Sequence, residues 1–113
     1  MNSNSITLDI DPIARKIIAS PPVLEVNTGE TVKWLRLSAA KKYSFLIDFG
    51  NETPFSMYQF KIKKYDDTGD LEVIYMNPTN EPKKFKYSVR AIRILHHIPP
   101  LDPELIIPKN SKK

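Results

Sequence analysis

The sequence of 113 residues contains no cysteine, only three glycines and no long hydrophobic run. Without cysteine, the chain can form no disulfide, no thiolate nucleophile and no cysteine-bound metal site. The glycines at positions 29, 50 and 69 stand apart from one another, so the chain has no glycine-rich loop of the kind that holds phosphate groups.

The same absences bear on the compartment of the protein. The amino terminus, MNSNSITLDIDP, shows neither the basic segment nor the apolar segment of a secretory signal. A membrane-spanning helix needs about 20 consecutive apolar residues, and no stretch of the sequence approaches that length. We therefore expect a cytoplasmic protein without a membrane partner.

Length and composition are those of one soluble globular domain. The chain is 41% hydrophobic and 27% charged, with five Phe, five Tyr and one Trp to build a core. Ten prolines against three glycines favour many short elements over a few long helices. The net charge is +4, but 17 basic residues less the three lysines of the final segment PKNSKK leave 14 against 13 acidic ones. We expect one domain over residues 1–108 and a basic, flexible tail over 109–113.

Apolar and polar residues alternate through most of the chain, which is typical of half-buried β-strands. Prolines and short polar clusters separate the alternating segments, and no segment has a sustained helical period. The pattern predicts an all-β fold: a Greek-key β-sandwich of seven to eight mostly antiparallel strands. Residues 57–76 are predicted to form a hairpin around the turn DDTGD at 66–70. The side chains expected between the two sheets are those of Trp34, Phe45, Ile47, Tyr87 and Val89.

Three segments carry a resemblance to a known superfamily. Residues 22–34, PVLEVNTGETVKW, combine an extended segment, a Gly-Glu turn and Thr-Val-Lys-Trp. Residues 85–89, FKYSV, form an aromatic strand, and residues 105–107, LII, form a short closing strand. In these segments the chain resembles the cupredoxin superfamily. The resemblance implies a cupredoxin-like Greek-key sandwich, and an immunoglobulin-like sandwich is the alternative because it accommodates the same turn and tryptophan.

The resemblance does not extend to the metal ligands. A mononuclear blue-copper site uses two histidines, one cysteine and usually a weak axial methionine. By the resemblance, the first histidine would fall near Tyr43 or Ser44 and the cysteine near Val89, and neither residue type is there. His96 and His97 lie where a second ligand would stand, but they cannot rebuild the site without the thiolate. We therefore expect a metal-free relative of the superfamily with no cofactor.

Few residues are candidates for chemistry. Adjacent residues of a strand point to opposite faces, so His96 and His97 are interpreted as one packed and one solvated side chain; a weak metal or pH-sensitive contact is the alternative. Asp48 and Glu52 flank Gly50 and would act as an acid–base pair only inside a pocket. No motif of a nucleophilic triad is present. We expect no enzymatic activity and no catalytic residue.

The leading functional hypothesis is a protein–protein interaction or accessory module. Trp34 is expected to face the core, which places Leu35 and Leu37 on the opposite face, and Phe55 to Tyr58 follow Pro54 at the junction of a loop and a strand. Apolar and aromatic groups that remain exposed are typical anchors for a protein partner. The predicted partner-binding residues are Leu35, Leu37, Phe55, Met57 and Tyr58.

The alternative hypothesis is electrostatic binding to a nucleic acid or another polyanion. Basic residues project from two predicted strands on the side opposite the apolar positions, which would make the outer face of one sheet cationic. A solvated face that discourages aggregation through sheet edges is the structural interpretation of the same residues. The predicted polyanion-binding residues are Lys61, Lys63, Lys84, Lys86 and Arg90.

Overall fold

The computed structural model of the protein describes residues 3–66 and 70–112. Ten strands and one short 3₁₀ helix, Ser38–Lys42, make up the regular structure of this part of the chain. The strands are β1 (Ser3–Asp11), β2 (Lys16–Ser20), β3 (Val23–Glu25), β4 (Thr31–Arg36), β5 (Ser44–Asp48), β6 (Gln59–Ile62), β7 (Leu71–Glu72), β8 (Lys83–Lys86), β9 (Ser88–Ile92) and β10 (Glu104–Ile107). The prediction of an all-β sandwich is confirmed. Within the described residues, no helix is both long and apolar enough to cross a membrane.

One layer of the sandwich is a four-stranded sheet with the order β2-β1-β4-β7. β1 pairs with β2 antiparallel and with β4 parallel, and β7 completes the sheet as a short antiparallel strand. The parallel pair runs from Ser3 opposite Thr31 to Leu8 opposite Arg36. This register places the apolar positions of β1 and β4 on the same face of the sheet, which is the face that is buried.

The other layer consists of two three-stranded sheets, with the orders β3-β10-β8 and β6-β5-β9. They are continuous along the chain because Tyr87 alone separates β8 from β9. The amide of Tyr87 donates a hydrogen bond to the carbonyl of Pro103, and Val89 exchanges two hydrogen bonds with Leu101. The long segment 83–92 therefore links the two sheets into one layer.

The core lies between the two layers and is rich in aromatic rings. Trp34 of β4 is fully buried and contacts Tyr87 and Phe60 of the opposite layer at ring-centre distances of 5.7 and 5.2 Å. Phe49 stacks on Tyr87 at 4.7 Å. All five residues predicted for the core are buried, so that prediction is confirmed: Trp34, Phe45, Ile47, Tyr87 and Val89.

The predicted hairpin over residues 57–76 is wrong. β6 pairs with β5, whereas β7 pairs with β4 in the other layer. The chain crosses between layers after Ile62, and residues 67–69 of the predicted turn lie outside the described residues. Apolar alternation on both sides of a turn shows that two strands exist, but not that they pair with each other.

Ser111 lies in the segment 109–113, for which a flexible tail is predicted. Ser111 is buried, and its carbonyl accepts a hydrogen bond from the amide of Asn77. Its hydroxyl donates to the hydroxyl of Thr28 and accepts from the amide of Thr28. These contacts attach Ser111 to the turn before β4 and to Asn77.

The two ends of the sandwich are formed by different loops. Residues 12–15, 37–43, 63–66 and 93–98 meet at the end where β4 finishes and β5 begins, which we call the upper end. The opposite end, where β5 finishes and β6 begins, is the lower end.

Candidate functional site

A cavity of ≈ 570 Å³ opens at the upper end. Small-molecule and peptide sites commonly fall in the range of about 300–1,000 Å³. The cavity is built from the β1–β2 turn, the 3₁₀ helix, the start of β5 and the turn after β9. Its lining residues are Ile10, Pro12, Arg15, Ala39, Lys42, Tyr43, Arg93, Leu95, His96, His97 and Ile98.

Tyr43 connects several polar groups of the cavity. It is only 6% exposed, and its carbonyl accepts a hydrogen bond of 2.6 Å from Nη1 of the buried Arg36. Its hydroxyl lies 3.4 Å from Nδ1 of His96, and the two rings meet edge to face at a centroid distance of 6.0 Å. The guanidinium of Arg93 lies over the Tyr43 ring at 5.5 Å, a geometry that supports a cation–π contact. Tyr43 therefore orients both a histidine and an arginine at the cavity.

The turn between β1 and β2 forms one rim of the cavity and is held by Asp11. A carboxylate oxygen of Asp11 accepts hydrogen bonds of 3.0 Å from the amides of Ile13 and Ala14. The backbone N–H of Ala14, that of Ile13 and the charge of Lys16 lower the pKa of this carboxyl below 3.8. The carboxylate is thus engaged with its own turn.

Left-handed backbone at non-glycine positions is concentrated at this end of the molecule. The described residues include four such positions, and Arg15 (φ 53°), Tyr65 (φ 66°) and Leu95 (φ 65°) belong to the upper end. A left-handed conformation costs a residue with a Cβ about 1–2 kcal/mol. The fold tolerates this cost in both turns that border the cavity.

The same two turns hold large aliphatic side chains in water. Ile13 is 94% exposed, Ile94 is 87% exposed and Leu95 is 99% exposed. A single exposed apolar side chain is ordinary in a soluble protein. Three nearly fully exposed ones on the two turns beside one cavity form an apolar rim, which we define as Ile13, Ile94 and Leu95.

The polar lining of the cavity carries charge of one sign. Arg15, Lys42 and Arg93 contribute cations, and His96 and His97 contribute imidazoles. Among the lining residues there is no aspartate or glutamate. A cavity lined in this way attracts an anionic group.

The two histidines do not occupy the positions expected of them. Both are exposed, and both line the cavity, because they lie in the turn after β9 and not on a regular strand. No group of three or more metal-ligating side chains (His, Cys, Asp or Glu) forms within residues 3–66 and 70–112. Tyr43 faces His96, and the sequence has no cysteine. This donor set does not fit a blue-copper centre.

The predicted partner-binding residues do not form one surface. Phe55 is only 3% exposed and packs against Trp34 and Phe49, so the expectation that it is exposed is wrong. Leu37 is 46% exposed and lies at the upper end after β4, next to the half-buried Leu35. Met57 and Tyr58 are exposed, but they precede β6 at the lower end.

The predicted polyanion-binding residues are all exposed: Lys61, Lys63, Lys84, Lys86 and Arg90. Lys61 and Arg90 lie on either side of Leu46 in one cross-strand row of the second layer. Lys86 lies directly opposite Glu104 of β10, which reduces the net charge at that position. The cationic face is therefore interrupted.

Asp48 and Glu52, the candidate acid–base pair, are engaged separately. The carboxylate of Asp48 accepts hydrogen bonds from the amide of Gly50 at 2.7 Å and from the side chain of Gln59 at 3.0 Å. Glu52 forms an ion pair of 3.1 Å with Lys83. The structure gives each carboxylate a different partner.

Sequence reasoning missed the cationic lining of the cavity. Arg15, Lys42 and Arg93 are far apart in the sequence, so no local pattern connects them. The signal that was present is the pair Ile94-Leu95 between Arg93 and the histidines, where the strand pattern ends and two aliphatic residues fall in a turn.

No family model, no curated protein and no solved structure matches this chain in comparisons with known proteins. The cupredoxin resemblance thus remains a prediction from the sequence.

Proposed function

We propose that this chain is a non-enzymatic protein-interaction module that docks its partner through the upper end of the sandwich. The observation that carries the proposal is the apolar rim, Ile13, Ile94 and Leu95, beside a cavity of ≈ 570 Å³. The rim supplies apolar area for a partner to cover, and the cavity supplies depth for an anchoring group.

The energetic argument rests on the exposure of the rim. Burying a fully exposed Ile or Leu side chain contributes about 1.5–3 kcal/mol. The three rim residues leave that contribution unused in the isolated chain, because they are 87–99% exposed. Interface anchors concentrate such energy in a few side chains around a well-shaped pocket. The upper end combines both features.

The support for the cupredoxin-like part of the proposal is the placement of the three resembling segments. They coincide with β3 and β4, with the segment 83–92, and with β10. Gly29 has a left-handed φ of 90° in the turn before β4, and Trp34 lies at the centre of the core. We propose a metal-free sandwich of this kind that presents its turns to a partner.

The proposal predicts cross-linking from the rim. A photoactivatable amino acid in place of Leu95 is introduced into the full chain in its source cells, and the adducts are identified by mass spectrometry. Ile74 is the matched control position because it is an exposed aliphatic residue (54%) at the lower end. We expect one discrete protein adduct from position 95 that is absent from position 74.

A double variant, Ile13→Ala with Ile94→Ala, tests the energetic part. Because these side chains are exposed, the variant should unfold at the same temperature as the wild type while its adduct from position 95 decreases at least tenfold. The same adduct from both positions, or an adduct that the double variant leaves unchanged, contradicts the proposal.

A second candidate function, polyanion binding, is favoured by the shared row of Lys61 and Arg90 on the outer face of the second layer. It predicts an affinity for a nucleic acid that falls steeply with salt and is abolished by the variant Lys61→Glu with Arg90→Glu. Binding to a mixed-sequence oligonucleotide is measured at about 50 and about 200 mM salt, because the affinity of a phosphate-binding protein falls steeply between these concentrations. Salt-independent binding, or none at low salt, rules this candidate out.

A further inference from the structure

Resting on the proposed function, we infer that the cavity at the upper end binds the carboxyl terminus of a partner chain that ends in an aliphatic residue. The carboxylate would face the cations of the lining, and the aliphatic side chain would cover the apolar wall. Leu95 of the apolar rim also lines the cavity, and the other two rim residues, Ile13 and Ile94, would contact the chain that leads to this terminus.

Charge identifies the anionic part of the ligand. Arg15, Lys42 and Arg93 come from three different elements and converge on one cavity. Asp11, the acidic residue of the β1–β2 turn, already accepts hydrogen bonds from the amides of Ile13 and Ala14. No carboxylate belongs to the lining of the cavity. Because arginine binds a planar carboxylate with two parallel hydrogen bonds, two arginines and a lysine suit a carboxylate.

The geometry of Tyr43 adds orientation to this charge. The edge of its ring faces His96, and the face of the ring carries the guanidinium of Arg93 at 5.5 Å. The backbone of Tyr43 is fixed from below by the buried Arg36 at 2.6 Å. Arg93 is therefore positioned at the cavity before a ligand arrives, which reduces the entropy lost on binding.

The apolar wall identifies the remainder of the ligand. Ile10 and Ile98 are buried residues that line the same cavity, and Ala39 lines it as well. The cations and this wall belong to one cavity, so the ligand must carry an apolar group close to its carboxylate. A chain terminus with an aliphatic last residue meets that requirement, since its side chain branches from the carbon that bears the carboxylate.

The test is an NMR titration of the full chain with three probes. N-acetyl-leucyl-leucine carries the free carboxylate, and N-acetyl-leucyl-leucinamide has the same apolar groups without the charge. Octanoate carries a carboxylate on an apolar chain without a peptide. The amide signals of Lys42, Tyr43 and residues 95–98 report on the cavity.

We expect saturable shifts of these signals with the dipeptide acid and an affinity at least tenfold weaker for the amide. Arg15→Gln and Arg93→Gln should each weaken the affinity for the dipeptide acid about tenfold or more. Lys86→Gln makes the same charge change at an exposed position outside the lining and should leave this affinity unchanged. Using both arginine variants keeps the test valid if Arg93→Gln disturbs Tyr43.

Three outcomes overturn the inference: equal affinity for acid and amide, no shift with the acid, or binding of octanoate without the dipeptide acid. The last result would assign the cavity to a free organic acid. Failure of the inference is distinguishable from failure of the proposed function. Cross-linking from position 95 without carboxylate binding would support the docking surface and overturn the inference about the cavity. Carboxylate binding without cross-linking would support the inference about the cavity and contradict the proposed docking of a partner.

Discussion

Replacement of Phe55 by alanine tests the packing of the core and the reason why this residue is not a surface anchor. If the Phe55 side chain were exposed, Phe55→Ala would weaken the binding of a partner and leave the stability of the domain unchanged. In the structure the ring is 3% exposed and makes edge-to-face contacts with Trp34 at 6.0 Å and with Phe49 at 5.5 Å. The substitution should therefore act on folding.

The expected loss in free energy of unfolding is about 3–5 kcal/mol, the range for a buried Phe→Ala substitution. Transfer of the ring out of water accounts for about 1.5–3 kcal/mol, and two aromatic pairs add about 0.5–1.5 kcal/mol each. A domain of this size is stable by about 5–15 kcal/mol in total. The variant should thus remain folded at 25 °C but with a large fraction of its stability removed.

Urea unfolding followed by tryptophan fluorescence is the assay, since Trp34 is the single tryptophan and touches Phe55. Two control variants are measured beside Phe55→Ala. Phe55→Leu retains most of the volume and should cost less than Phe55→Ala. Tyr58→Ala removes an aromatic ring that is 54% exposed and only three residues away, and should change stability by less than about 0.5 kcal/mol.

The reasoning is refuted if Phe55→Ala lowers the free energy of unfolding by less than about 1 kcal/mol with an unchanged urea dependence. That result would mean that the ring leaves the core at little cost. A large loss of stability in Tyr58→Ala would equally contradict the assignment of Phe55 to the core and of Tyr58 to the surface.

Three further predictions concern titration and backbone strain. Burial raises the pKa of the Tyr87 hydroxyl above its ordinary value of 10.0, so above about pH 10 the unfolded chain loses a proton that the folded chain keeps. The free energy of unfolding of the wild type should therefore fall as the pH rises, and Tyr87→Phe should lack this contribution. Urea unfolding at about pH 8 and above about pH 10 measures the difference. Hydrogen bonds from the amides of Ala14 and Ile13 lower the pKa of Asp11, so its contribution is present above its ordinary value of 3.8 and is lost as the pH falls below it. Asp11→Asn should remove that part of the acid dependence, and an unchanged acid limb would contradict the hydrogen bonds. Gly50 has φ +68° and open space around an added Cβ, so Gly50→Ala should cost only the backbone strain of about 1–2 kcal/mol, and an unfolding curve equal to that of the wild type would show that the turn rearranges.

The fold class was predictable because alternation is a local property. In the segment 43–49 every second residue is buried, and each buried position carries an aromatic or aliphatic side chain. Partner choice between strands is not local. Residues 58–62 and 71–76 read as a hairpin, but β7 pairs with β4 because its leucine completes the buried face of the first layer.

The candidate site was hidden from the sequence for the same reason. Arg15, Lys42 and Arg93 come together only because β1 lies parallel to β4 and the segment after β9 returns over the start of β5. Phe55 shows the opposite error. An aromatic residue after a proline in a loop resembles an exposed anchor, but the loop folds inward and inserts it between Trp34 and Phe49.

The two ends of the sandwich differ in the side chains that their loops carry. At the lower end, the Asn77 side chain is 1% exposed and donates to the carbonyl of Glu81 at 2.7 Å, and Thr28 donates to the carbonyl of Tyr75 at 2.7 Å. These buried polar bonds close that end and fix its loops. At the upper end, Leu95 is held in a left-handed conformation with its side chain 99% in water. Stability alone would favour an asparagine or glycine at such a position, since both adopt this backbone at lower cost and expose no aliphatic surface. Covering Leu95 would offset this cost, and the proposed docking at the upper end would cover it.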